Sequence, residues 1–276
     1  MSSSPPAVKA LIFDVFGTLV DWRSSIAREA ERLLAPQGIS LDWLEFADRW
    51  RAEYQPAMEE VRAGRILFCK LDHLHRRNLD VVLADHGLEG IDEDTRRALN
   101  LAWHRLDAWP DVADGLASLR TRCLLAPCSN GNISLMVDLA RHNGLLWDAI
   151  LGAEVARDYK PKPAVYLGAA AAFDLAPGEV MMVAAHSSDL QAAADCGLAT
   201  CFVARPDEYG AGTGETEPAC PVDLCVGNLF ELTQWKGFSP TQAHSLLHEG
   251  PRAPTALPSM DTLAFSRESP RPGDPG

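Results

Sequence analysis

Near its start the chain runs Ala10-Leu11-Ile12-Phe13 straight into a carboxylate, Asp14, and then turns on Gly17 with a hydroxyl at Thr18. An unbroken apolar run of this length fits a strand buried on both faces, and such strands belong to parallel sheets covered by helices. Open α/β sheets collect their ligands at the carboxyl ends of their strands. Asp14 therefore stands where an ionised oxygen can meet a substrate, as a candidate nucleophile with Thr18 beside it. The bland alternative is a turn-capping aspartate.

The same apolar signal recurs at Val8 to Phe16, Cys123 to Ser129, Trp147 to Ala153, Val180 to His186 and Ala199 to Ala204, with helix-length segments between. That alternation predicts a Rossmann-like α/β core with a parallel sheet. The rhythm breaks after the first strand. Residues 21–108 hold no convincing strand but show helical periodicity, as in Asp42 to Val61 and Leu71 to Asp85, which predicts an inserted helical cap. The expected organisation is a core of residues 1–20 and 109–236, re-entered at Pro110 and Asp111, with a cap of residues 21–108. Residues 237–276 carry seven prolines and little apolar periodicity, which predicts a disordered tail. The Gly-, Glu- and Thr-rich stretch from Asp207 to Pro221 reads as a surface loop.

Phe16 narrows the chemistry. A phosphatase built on Asp14 needs an acid two residues on to protonate the departing alkoxide, and phenylalanine cannot donate a proton. A halide leaves as a stable anion without one, and an aromatic wall helps to exclude water. The pattern leans toward displacement at a carbon–halogen bond.

Four stations then occur in order: Phe13-Asp14-Val15-Phe16-Gly17-Thr18-Leu19, Cys128-Ser129-Asn130-Gly131, Tyr159-Lys160-Pro161 with Tyr166, and His186-Ser187-Ser188-Asp189. Together they resemble the motifs of the haloacid dehalogenase superfamily, and within it the type II L-2-haloacid dehalogenases. The resemblance implies that Asp14 displaces halide from C2 of a short 2-haloacid, forming an aspartyl ester that water cleaves to a 2-hydroxyacid. It implies that Ser129 contacts the substrate carboxylate, Asn130 contacts halide or substrate, and Asp189 works without metal. Trp50-Arg51 resembles the pair that closes over the substrate, with Arg51 receiving the halide and Arg49 and Arg62 as rivals. A homodimer is implied as well.

Physical reasoning on the residues runs alongside. A loop cation at Lys160, with Lys162 as competitor, would hold Asp14 ionised and attract a carboxylate substrate. Ser129 and Asn130 also suit a helix cap. Phe16, Trp22 and Tyr166 are candidate pocket walls, although aromatics of this kind ordinarily pack in cores. The fourth station departs from part of the family, with His186 where some members carry Asn and Ala184 where they carry Ser. A neutral imidazole at 186 could activate the hydrolytic water, with Asp189 as the alternative.

Composition excludes several classes. A net charge of −13 argues against a nucleic-acid surface. No stretch approaches the roughly 18 apolar residues of a membrane span, and Met1 to Pro6 lacks the pattern of a secretory signal, so a cytoplasmic protein is expected. Seven cysteines lie scattered without zinc-site spacing, consistent with free thiols. No cofactor is expected. The rival readings are a Mg²⁺-dependent phosphohydrolase of the same superfamily, with Asp189 in a metal site, and a catalytically silent interaction protein.

Overall fold

The computed structural model describes residues 7–238. Its strands are β1 (Ala10–Phe13), β2 (Val20–Asp21), β3 (Asp107–Ala108), β4 (Leu124–Ser129), β5 (Leu151–Gly152), β6 (Val180–Ala184), β7 (Ala199–Val203) and β8 (Leu224–Val226). Five helices lie between β2 and β3: α1 (Trp22–Leu34), α2 (Trp43–Ala52), α3 (Tyr54–Arg62), α4 (Leu71–Asp85) and α5 (Glu93–Asn100). The others are α6 (Val112–Arg120), α7 (Ile133–Asn143), α8 (Ala153–Ala156), α9 (Pro163–Ala172), α10 (Ser187–Asp195) and α11 (Leu229–Thr233).

Six strands form one parallel sheet in the order β5-β4-β1-β6-β7-β8. β1 is hydrogen-bonded on both sides, pairing Leu11 with Leu125 of β4 and Met181 of β6, and this explains its unbroken apolar sequence. Alternate residues face opposite layers. Leu11, Phe13, Met181 and Val183 enter a core shared with α6, α7 and the helices between β2 and β3. Ala10, Ile12, Val180 and Met182 pack with Val165, Tyr166 and Ala169 of α9 and with Leu190 and Ala193 of α10.

The α/β reading holds, with local corrections. The expected strand at Trp147 to Ala153 shrinks to two residues at the sheet edge: Trp147 turns its ring onto Phe13, and although the Asp148 N–H donates to the Leu125 carbonyl, the Leu125 N–H is taken by the Asp148 side chain and not by backbone. β8 follows the predicted loop and at three residues is too short to give a pattern. β2 and β3 pair antiparallel where the chain leaves and re-enters the sheet layer. The helical stretch expected from Asp42 to Val61 is two helices, interrupted at Glu53. Pro56 lacks the N–H that would bond the Ala52 carbonyl, and its ring would strike that carbonyl in a continuous helix. The break places Arg51 and Tyr54 on either side of a bend.

Of the tail expected to be disordered, Gly237 and Phe238 are ordered: Phe238 is buried, bridges to Val8 and packs edge-on against Trp235. The rest of that prediction, from 239 onward, lies outside the described residues. Among the described residues no helix is long and apolar enough to cross a membrane.

Candidate active site

Asp14 follows β1 at the carboxyl edge of the sheet, where its N–H donates to the Val183 carbonyl at 3.0 Å. Its carboxylate is nearly buried and its two oxygens are held differently. Oδ2 accepts from the Thr18 hydroxyl at 2.6 Å and lies 3.1 Å from Nδ1 of His186. Oδ1 accepts from the Lys160 ammonium at 2.8 Å. Burial alone would raise this carboxyl, but Lys160 and His186 outweigh it and hold Asp14 far below the usual carboxylate range. Gly17, at φ +86°, makes the turn that brings Thr18 back, and the Thr18 hydroxyl in turn accepts from the Ala185 N–H at 2.9 Å.

Lys160 is the lysine at the centre, while Lys162 caps α9 from outside the cavity lining. Its ammonium bonds both Asp14 and Asp189, and its N–H donates to the Asn130 side-chain carbonyl at 2.8 Å. Burial opposes the ammonium charge, yet the two carboxylates raise its proton affinity well above that of an ordinary lysine. Asp189, in the first turn of α10, also accepts from the Tyr166 hydroxyl. Burial raises the Asp189 carboxyl despite Lys160, leaving it the more basic of the two carboxylates.

His186 is held between two carboxylates, one of which the sequence reading missed. Its Nε2 lies 2.9 and 3.0 Å from the oxygens of Glu208, a residue only 1% exposed. Burial disfavours the charged ring, but hydrogen bonds to Asp14 and Glu208 push it up to about 10. Placed between two carboxylates, the ring is favoured as an imidazolium, in contrast to the neutral imidazole expected at 186. Glu208 comes from the loop expected to be mere surface. Glu215, from the same loop, accepts from the Ser187 N–H and hydroxyl and lines the cavity. The position most informative about Glu208 is Gly17, where a Cβ would fall 2.0 Å from Glu208 Oε1, so only glycine admits this carboxylate.

A cavity of about 490 Å³ opens over these groups. Phe16, Arg51, Tyr54, Asn130, Tyr166 and Tyr209 line it, so most of the anticipated wall residues meet there. Arg51 is stacked among aromatic rings, its guanidinium carbon 4.0 Å from the centre of Tyr54, 5.3 Å from Trp22 and 6.0 Å from Phe16. Its Nη1 is buried with no hydrogen-bond partner among the described residues. Arg49 instead pairs with Glu45 on the surface. Arg62 reaches the cavity, but its guanidinium donates to Gln55, Glu59 and the Lys160 carbonyl.

Two assignments shift. Trp22 stands behind the main cavity, in an adjoining recess, and its indole N–H donates to Glu208 at 3.1 Å. Ser129 is wholly buried and outside the cavity lining, its hydroxyl accepting from the Gly131 N–H at 3.0 Å. The next helix begins at Ile133 with Asn132 at its N-cap position, so neither Ser129 nor Asn130 caps it. Among the described residues no group of three or more His, Cys, Asp or Glu side chains is arranged to hold a metal ion, and the Lys160 ammonium sits between the two nearest carboxylates.

Comparison with known proteins converges on one group. The haloacid dehalogenase-like hydrolase family profile matches residues 8–197. An (S)-2-haloacid dehalogenase of Xanthobacter autotrophicus is 28% identical over 235 residues, covering 84% of this chain and 85% of its own. Among solved structures, a defluorinating L-2-haloacid dehalogenase is 42% identical with a TM-score of 0.80, covering 82% of this chain and 94% of its own. A second L-2-haloacid dehalogenase is 45% identical with a TM-score of 0.79, covering 82% and 97%.

Proposed function

Because the chain belongs to the haloacid dehalogenase-like hydrolase family, we propose that it hydrolyses the carbon–halogen bond of short 2-haloacids through an ester formed on Asp14. The observation that carries this reading is Phe16. It is buried in the cavity wall two residues beyond the nucleophile, where an oxygen leaving group would need an acid. Halide departs with the bonding electrons and needs no proton.

In the first half-reaction an Asp14 oxygen attacks C2 as the carbon–halogen bond breaks. The residues supply what that displacement needs. Lys160 and His186 keep Asp14 anionic, so it attacks without a general base. Phe16 and Tyr54 dry the surroundings. Arg51, with one nitrogen free of acceptors among the described residues, offers the departing halide a cation inside an otherwise acidic protein. Asn130 lies at the cavity edge beside Lys160, where a substrate carboxylate can be received. In the second half-reaction water attacks the ester carbon of Asp14 and the 2-hydroxyacid leaves. No metal has a step in this scheme. Related proteins named as (S)-2-haloacid dehalogenases, and a Xanthobacter autotrophicus L-2-haloacid dehalogenase structure with chloropropionic acid covalently bound, support the same chemistry.

Single-turnover hydrolysis of (S)-2-chloropropionate in ¹⁸O-water, with chelator present, tests the proposal. Label should enter Asp14, and Asp14→Asn should release no halide while keeping its fold. Label found first in the product, or a requirement for Mg²⁺, refutes the scheme.

A further inference from the structure

The two oxygens of Asp14 are not equivalent, and the difference assigns their roles. A carboxylate oxygen has two in-plane lone pairs. On Oδ2 both are engaged, by the Thr18 hydroxyl at 2.6 Å and by His186 at 3.1 Å. On Oδ1 one is taken by Lys160, and no second donor among the described residues takes the other. Oδ1 is thus the oxygen able to attack, and Oδ2 becomes the carbonyl oxygen of the ester.

Resting on the covalent reading above, we infer that Thr18 and the protonated His186 form an oxyanion hole for hydrolysis of the Asp14 ester, and that Glu208 is the positioning residue that keeps His186 protonated while that ester exists. Water adds to Asp14 Cγ, and the carbonyl electron pair moves onto Oδ2, where the hydroxyl and imidazolium N–H donate to it. One proton of the water passes to the Asp189 carboxylate. The intermediate collapses by breaking the Cγ–Oδ1 bond, the departing alkoxide takes the remaining proton of the added hydroxyl, and the proton on Asp189 leaves to solvent as the counterpart of the released halide.

Glu208 is necessary because esterification neutralises Asp14. In the resting site His186 faces two anions, Asp14 from the end of β1 and Glu208 from the loop after β7. Once the ester forms, Asp14 no longer holds the ring charged, while the Lys160 and Arg51 cations remain nearby and oppose it. Asp189 remains neutralised by Lys160, and Glu215 is spent on the Ser187 N–H and hydroxyl. Glu208 is the carboxylate still hydrogen-bonded to the ring. It is itself fixed by the Trp22 indole and admitted only by the missing side chain of Gly17.

Decay of the ester, followed by intact mass after rapid mixing with (S)-2-chloropropionate, separates this from a general-base histidine. The wild-type decay rate should not fall between pH 6 and 9. Glu208→Gln, which keeps the shape and removes the charge, should approach the wild-type rate only below the lowered imidazole pKa and lose about tenfold per pH unit above it. Decay in the variant that rises as the ring deprotonates makes His186 a base and overturns the inference, as does a profile identical to wild type. A measurement without any substitution guards against misfolding: ¹⁵N-histidine spectra of the wild-type protein should show both ring nitrogens of His186 protonated at pH 8. A singly protonated ring refutes the proposal. Absence of any adduct in the wild-type enzyme refutes the covalent reading itself, whereas an adduct with the wrong pH profile refutes only the oxyanion hole.

Discussion

Replacing Lys160 by Met isolates the electrostatic arrangement at the centre of the site. The ammonium is buried and bonds two carboxylates whose side chains are each about 10% exposed. Methionine keeps most of the volume and leaves Asp14 and Asp189 facing each other without the cation between them. Removing one partner of a buried pair costs about 3 to 5 kcal/mol, a large part of the roughly 5 to 15 kcal/mol that holds a domain folded. The sign of the pH dependence follows. In the wild-type protein the Asp14 carboxyl lies below its unfolded value, so its contribution is present above about pH 4 and is lost as pH falls further. In the variant the carboxyl pair binds a proton more tightly folded than unfolded, so stability is lost as pH rises through the raised value. Urea denaturation of both proteins from pH 5 to 8 reads the difference directly and cancels every group they share. The stability gap should be about 3 to 5 kcal/mol at pH 8 and shrink toward pH 5, and halide release at pH 8 should fall at least 100-fold, the equivalent of roughly 3 kcal/mol. A gap that stays below 1 kcal/mol or does not vary with pH would refute the reasoning.

Arg51→Met should reduce halide release by about 30-fold to several thousand-fold, corresponding to roughly 2 to 5 kcal/mol, while Arg49→Met, which breaks surface pairs with Glu45 and Asp85, leaves it unchanged; steady-state kinetics on 2-chloropropionate distinguishes the two, and the reverse pattern would move the halide site. His75 is buried with neither ring nitrogen hydrogen-bonded among the described residues and its ring stacked 4.2 Å from Trp103, and burial pushes it down to about 3. Because only the unfolded state takes up this proton between about pH 6.5 and 3, the wild-type protein should lose stability on acidification by up to about 4 to 5 kcal/mol from this group. Urea denaturation of His75→Phe across that range should show the variant gaining on wild type as pH falls, and parallel curves would show that the ring is solvated.

The sequence by itself determined what depends on local pattern. The apolar run entering Asp14 marked a central strand, since only a strand bonded on both edges and covered on both faces needs no polar residue. That Asp14, Thr18, Lys160 and Asp189 would meet was legible because strand ends and the loops after them converge on one edge of a parallel sheet. Phe16 was informative for what it cannot do. Tertiary structure alone decided the rest. Nothing near Glu208 in the chain distinguishes it from a solvated loop glutamate, and its role exists only because the loop after β7 folds back over Gly17 and Trp22 to reach His186, 22 residues earlier. That contact sets the charge of the imidazole, which the ring's own chemistry leaves poised near neutrality. The Trp50-Arg51 pattern already favoured Arg51 over Arg49 and Arg62, but its surroundings were invisible in one dimension: they turn on the bend at Glu53 and on three aromatic rings drawn from separate elements. Residue type fixes which proton or charge a side chain can carry, but burial and the neighbours brought by the fold fix which state it holds.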